Sequence, residues 1–185
     1  MDQSSSRSRS SKTTTSSYKI KTKEIKEKIK SKKEVSGYEI EKFLNECPHF
    51  IGCYSNDQSN SISIQSFPAL IIFNLDNSAQ PGSHWLALRI DRTSVEVFDP
   101  LGFDISLWPR IPIFLFDYLR RLSLHRKLLF NRQIQNSNSV LCGFYCILYI
   151  IMRQTCSLSK IESQFSKRVY KNDSILLYLF QCMTK

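Results

Sequence analysis

Residues 135–146 read QNSNSVLCGFYC and run straight on into ILYIIM, residues 147–152. Asn and Ser side chains compete for backbone hydrogen bonds and favour turns, so the stretch opens as a polar loop. From Cys142 the chain is apolar on every helical face, and such a segment is stable only when surrounded. The stretch therefore predicts a loop that feeds a buried central helix over Cys142–Gln154. A thiol at that junction meets unpaired N–H groups and the positive end of the helix dipole, which favour its reactive thiolate. Gln135, seven residues earlier, can be brought back by the loop. Its side-chain N–H groups would then stand beside the Cys142 N–H, where a developing oxyanion needs donors. Gly143 would clear space for a substrate backbone. The same features also suit a small apolar residue that opens a core helix, and spacing alone leaves both readings open. Cys146, one turn deeper, is expected to be a core thiol.

A second stretch, HWLALRIDRTSVEVFDPLG (His84–Gly102), reads as two short strands around a polar turn. With Arg92-Thr93 as the loop, Leu86 faces Asp99, Leu88 faces Val97 and Ile90 faces Val95. His84 and Asp99 then project from one sheet face, a diagonal step apart. A carboxylate on one ring nitrogen fixes the imidazole tautomer and leaves the other nitrogen free to act on a nucleophile. A solvated histidine and a turn aspartate before Pro100 would look the same in isolation.

Other segments complete the outline. Glu39–Glu46 reads as a short helix, Pro68–Leu75 as a buried strand, Ile111–Leu124 as a helix and Leu128–Ile134 as a strand. Ser159 and Glu162 have capping-box spacing, and Asp173 is placed to cap a last helix over SILLYLFQCM. Helices and strands mix without strict alternation, which predicts an α+β domain.

The totals bound the function. A chain of 185 residues can hold one domain with a sizeable core. Its longest strongly apolar run, Phe144–Met152, is too short to cross a bilayer. The N-terminus lacks the apolar core of a secretory signal, so an intracellular setting is expected. The six cysteines are then expected as free thiols. No Cys-x-x-Cys pair occurs and the three histidines are scattered, so no metal site is expected. Of the net charge of +10, residues 1–36 carry +7, from eleven Lys/Arg against four Asp/Glu. Residues 1–36 are read as a disordered basic Ser/Thr/Lys-rich tail, and residues 37–185 as the globular domain. Within that tail, Ile25 and Ile29 could share a helical face, marginal by itself. Clustered lysines suit either solubility or non-specific contact with DNA.

Three blocks in order resemble the adenovirus-type (adenain-like) cysteine proteases, a group shared with Maverick/Polinton elements and virophages. They are FLNECPHFIGCYSND (Phe43–Asp57), GSHWLAL (Gly82–Leu88) with FDPLGF (Phe98–Phe103), and QNSNSVLCGFYC (Gln135–Cys146). The resemblance implies a mixed β-sheet packed against helices, with the nucleophile at the N-terminus of the central helix. It implies Cys142 as nucleophile, His84 as general base, Asp99 as its orienter and Gln135 as oxyanion donor. Trp85 corresponds to the tryptophan beside the family histidine and would help shape the substrate groove.

The implied activity is cleavage of capsid precursor proteins during particle maturation, in a virion or in the host nucleus or cytoplasm. No cofactor is implied beyond activation by DNA or a capsid-derived peptide, and the expected form is a monomer. Two departures stand out. Asp99 occupies the position where adenovirus enzymes carry Glu; Asp is usual in the related proteases of ubiquitin-like modifiers. The interval from Asp99 to Gln135 also holds no cysteine for a disulfide-tethered peptide. The alternatives are a protease of ubiquitin-like modifiers and a non-catalytic nucleic-acid-binding protein on the same scaffold.

Overall fold

The computed structural model of the chain describes residues 22–102 and 111–183. Five strands, β1 (Phe50–Ser55), β2 (Ala69–Asn74), β3 (Trp85–Ile90), β4 (Ser94–Phe98) and β5 (Lys127–Phe130), form one sheet in chain order. The outer pairs β1/β2 and β4/β5 are parallel and the inner pairs are antiparallel, so the sheet is mixed. The β3–β4 hairpin has the register read from the sequence, with Leu88 opposite Val97 and Ile90 opposite Val95.

Strand alternation sends side chains to two separate cores. Ile71, Phe73, Leu88, Ile90, Val95 and Val97 meet helix α3 (Ile113–Ser123) on one face. Leu70, Ile72, Ala87 and Phe98 meet the other helices. These are α1 (residues 22–30), α2 (Gly37–Leu44), α4 (Cys142–Met152), α5 (Leu158–Glu162) and α6 (Asn172–Cys182). Every residue of α4 from Cys142 to Ile150 is buried, as an all-apolar helix requires. The molecule is thus α+β, with the sheet between α3 and the remaining helices.

Several boundaries differ from the sequence reading, each for a local reason. Strand β1 was not anticipated; its six residues include Gly52 and show no clean alternation. Strand β5 stops at Phe130, because Asn131 turns away to bond the backbone of Asp99. Helix α5 is capped by Ser157, whose hydroxyl accepts from Lys160 N–H, two residues before the expected Ser159. Asp173 lies inside α6 and caps nothing; its carboxylate accepts from Tyr145 and Ser139.

The largest correction concerns the expected tail. Residues 22–36 belong to the folded body: Ile25, Ile29 and Val35 are buried in the same core as Phe144 and Ile147. A helix too weak to persist alone is held by an apolar stripe that finds a partner. Residues 1–21 lie outside the described residues.

Candidate active site

His84, Asp99 and Cys142 each come from the end of a different element. His84 lies one residue before β3 and Asp99 one residue after β4, so both leave the sheet at the same end. Beyond the ladder the pleat no longer dictates direction. His84 Nε2 and Asp99 Oδ1 stand 2.7 Å apart, which leaves Nδ1 for another partner. Cys142 lines the same cleft as His84 and lies near enough to help raise its pKa. Burial of His84 opposes its charge, but hydrogen bonds and charges from Asp99 and Cys142 outweigh burial and raise its pKa to about 9. The imidazolium form is therefore the one this site favours.

Asp99 is fixed on three sides. Its Oδ1 also accepts from Leu101 N–H at 2.9 Å. Asn131, almost wholly buried, accepts from Asp99 N–H at 2.8 Å and donates to Asp99 carbonyl at 2.7 Å. The turn closes through Gly102 N–H to Asp99 carbonyl. Gly102 has φ +83°, and a Cβ there would lie 2.7 Å from Gln133 N, so a side chain is excluded twice over. Sequence reasoning missed Asn131; the only signal was a polar residue inside a segment otherwise taken for strand.

Cys142 is the first residue of α4, buried but lining a cleft of about 600 Å³. The first N–H groups of a helix have no partner within it, so Cys142 N–H is free of the α4 ladder. Gln135 lines the same cleft and is held there by the loop's own bonds. Its N–H and that of Ile134 both donate to Pro100 carbonyl, which ties the loop to the Asp99 turn. Its side-chain Nε2 donates to Ser139 carbonyl at 2.7 Å, closing the loop on itself, while its buried Oε1 has no partner among the described residues. A side-chain nitrogen has a second N–H to offer.

Cys146 shows the contrast. Fully enclosed, with Sγ 3.4 Å from Trp85 carbonyl, it has its pKa driven well up by burial. It is a core thiol, as expected. All six cysteines are unpaired with one another.

The cleft runs between residues 34–37, the loop from Asn77 to Ser83 and the loop from Gln135 to Cys142. Trp85 lines it, with its ring half-buried and its Nε1 donating to Val35 carbonyl at 3.2 Å. Gly143 does not serve the expected purpose. The space beside it is filled by Val35 Cγ1 and Trp85 Cδ1, 2.3 Å and 3.0 Å from where its Cβ would be. Among the described residues no group of three or more His, Cys, Asp or Glu is placed to hold a metal ion. No helix among them is long and apolar enough to cross a membrane.

The family model for the adenovirus endoprotease matches residues 50–163, more than half of the chain. Comparison with curated proteins finds no match. Among solved structures, the SUMO protease Ulp1 with its catalytic cysteine oxidised to a sulfonic acid is 14% identical. That likeness covers 83% of this chain and 80% of that one, with a TM-score of 0.42. The ASFV protease, solved in selenomethionine form, is 16% identical over 80% of this chain and 66% of that one, with a TM-score of 0.46.

Proposed function

Because this chain belongs to the adenovirus endoprotease family and is a cysteine endopeptidase, we propose that Cys142 is its nucleophile and His84 its base. The observation that carries the assignment is the His84–Asp99 pair, Nε2 to Oδ1 at 2.7 Å, on the cleft that Cys142 also lines. In the resting site the proton of Cys142 already lies on His84, as the favoured imidazolium requires, and the Cys142 thiolate attacks the scissile carbonyl carbon. The oxyanion accepts from Cys142 N–H and from the side-chain N–H of Gln135. As the tetrahedral adduct collapses, the C–N bond breaks and His84 protonates the departing amine. A thioester remains. His84 then removes a proton from water, which attacks the thioester and restores the thiol. Asp99 keeps the imidazole in the tautomer that both steps need.

The substrates under this reading are capsid or virion precursor proteins, cut during particle maturation in the virion or the host nucleus or cytoplasm. An extended substrate chain would lie in the cleft between the 77–83 loop and residues 34–37. The catalytic domain takes in residues 22–36 with the rest of the folded body, the working form is a monomer, and the basic N-terminal segment supplies non-specific contact with DNA.

The test is cleavage by the full-length protein of a recombinant capsid precursor and of a C-terminally extended ubiquitin-like modifier, each with and without duplex DNA. Cutting of the precursor that vanishes in Cys142→Ala and His84→Ala supports the reading. Cutting of the modifier alone would overturn the substrate, and salt-sensitive DNA binding without any thiol-dependent cleavage would overturn the reaction.

A further inference from the structure

Residues 34–37 precede the segment that matches the family, residues 50–163, yet they form one wall of the cleft. Val35 bridges the residues that follow each half of the catalytic pair. Its carbonyl accepts from Trp85 Nε1, and Trp85 is the residue after His84. Its Cγ1 fills the hollow left by the missing side chain of Gly143, the residue after Cys142, at 2.3 Å from the Cβ position. Gly143 has a helical backbone that any residue could adopt, so this packing, and no turn geometry, is what requires glycine there.

The segment is itself braced at both ends. Lys33 N–H donates to Lys28 carbonyl at 3.1 Å, tying it to α1. Ser36 and Glu39 form a capping box that starts α2. Lys28 pairs with Glu39 and Lys42 pairs with Glu24 at 2.9 Å, so two ion pairs join α1 to α2. Ile25 and Ile29 anchor α1 in the core beneath.

We propose that residues 33–37, braced by α1, are a built-in positioning strap. It holds the end of β3 that carries His84 and the turn of α4 that carries Cys142 at one fixed separation. This role presumes His84 and Cys142 as the reactive pair. Val35 meets Trp85 and Gly143, the residues that follow His84 and Cys142, and is a positioning residue: it sets the neighbours of both. Reacting groups misplaced by about 1 Å lose roughly a hundredfold in rate, so a strap in contact with both neighbours sets how fast the thiol reacts. The chain thereby carries in cis an ordering element that the family-matching segment lacks.

The experiment measures iodoacetamide alkylation of Cys142 in the full-length chain between about pH 5 and about pH 9, with thermal melts of the same samples. It compares wild type, His84→Ala, Val35→Ala, Gly143→Ala and the Val35→Ala/Gly143→Ala double variant. In wild type the acidic-side rate is high and His84-dependent. In each single strap variant it falls roughly 10- to 100-fold and rejoins wild type at alkaline pH, where any thiol ionises. The double variant recovers at least about tenfold over Gly143→Ala, because removing Cγ1 makes room for the new methyl group. Lower melting temperatures with unchanged acidic-side reactivity would reduce the strap to ordinary packing and overturn the proposal. Absence of rescue in the double variant would overturn it as well. Should Val35→Ala not fold, Gly143→Ala and its rescue still decide. If wild type itself shows no His84-dependent labelling, the catalytic pair is what has failed, and the strap fails with it.

Discussion

At the scale of single residues, the chemistry depends on how His84 is charged. Its pKa of about 9 stands above the ordinary 6.5, so the protonated ring favours the folded state. That contribution is full below pH 6.5 and is lost as pH rises through about 9. The difference in melting temperature between wild type and His84→Asn should therefore be largest near the acid side of this window and narrow towards its alkaline side. Asp99→Asn removes a charge-assisted hydrogen bond worth about 1.5–3 kcal/mol, so kcat/KM should fall roughly 10- to 100-fold. The imidazole titration, followed by NMR, should drop from about 9 towards 6.5 in the same variant. Gln135→Ala deletes one proposed oxyanion donor; kcat should decline roughly 10²- to 10³-fold with KM little changed. An equal change in both would reassign Gln135 to substrate binding.

At the scale of elements, two helices with opposite sequence signals matter most. Helix α4 is apolar on all sides and could only have been central. Helix α1 is lysine-rich and looks like a solvated arm, yet Ile25 and Ile29 are almost wholly buried. Truncating either residue leaves a cavity, so Ile25→Ala should cost about 2–5 kcal/mol in urea unfolding. A free arm would give no change at all. The same holds for the capping box at Ser36, which links the strap to α2 through two backbone-directed bonds. The ends of β3, β4 and α4 bring the proposed reactive groups to one cleft. The elements behind them are scaffolding whose precision is spent at those ends.

At the scale of the whole molecule, the sheet and the central helix are joined by a buried ion pair. Glu96 of β4 takes both Nε and Nη2 of Arg153 at 2.8 Å, and the Tyr149 hydroxyl donates to the same carboxylate at 2.8 Å. Glu96→Ala would strand the guanidinium near the core, and unfolding free energy should drop by about 3–5 kcal/mol in denaturant melts. What the sequence by itself determined is local and periodic. The β3–β4 register follows from two-residue alternation, α4 from its unbroken apolar run, and the proximity of His84 to Asp99 from both lying at one end of a hairpin. That Gln135 and Cys142 line one cleft follows from a short loop. Tertiary structure alone decided the rest, since contacts between distant segments leave no period in the chain. Asn131 clamps Asp99 from 32 residues away. Asp173 serves Tyr145 instead of a helix end. Gly143 answers to Val35, and a basic, marginal helix joins the core because a matching apolar surface waits for two isoleucines. Burial energy is collected only when such surfaces meet, and the meeting is a property of the fold and not of either segment.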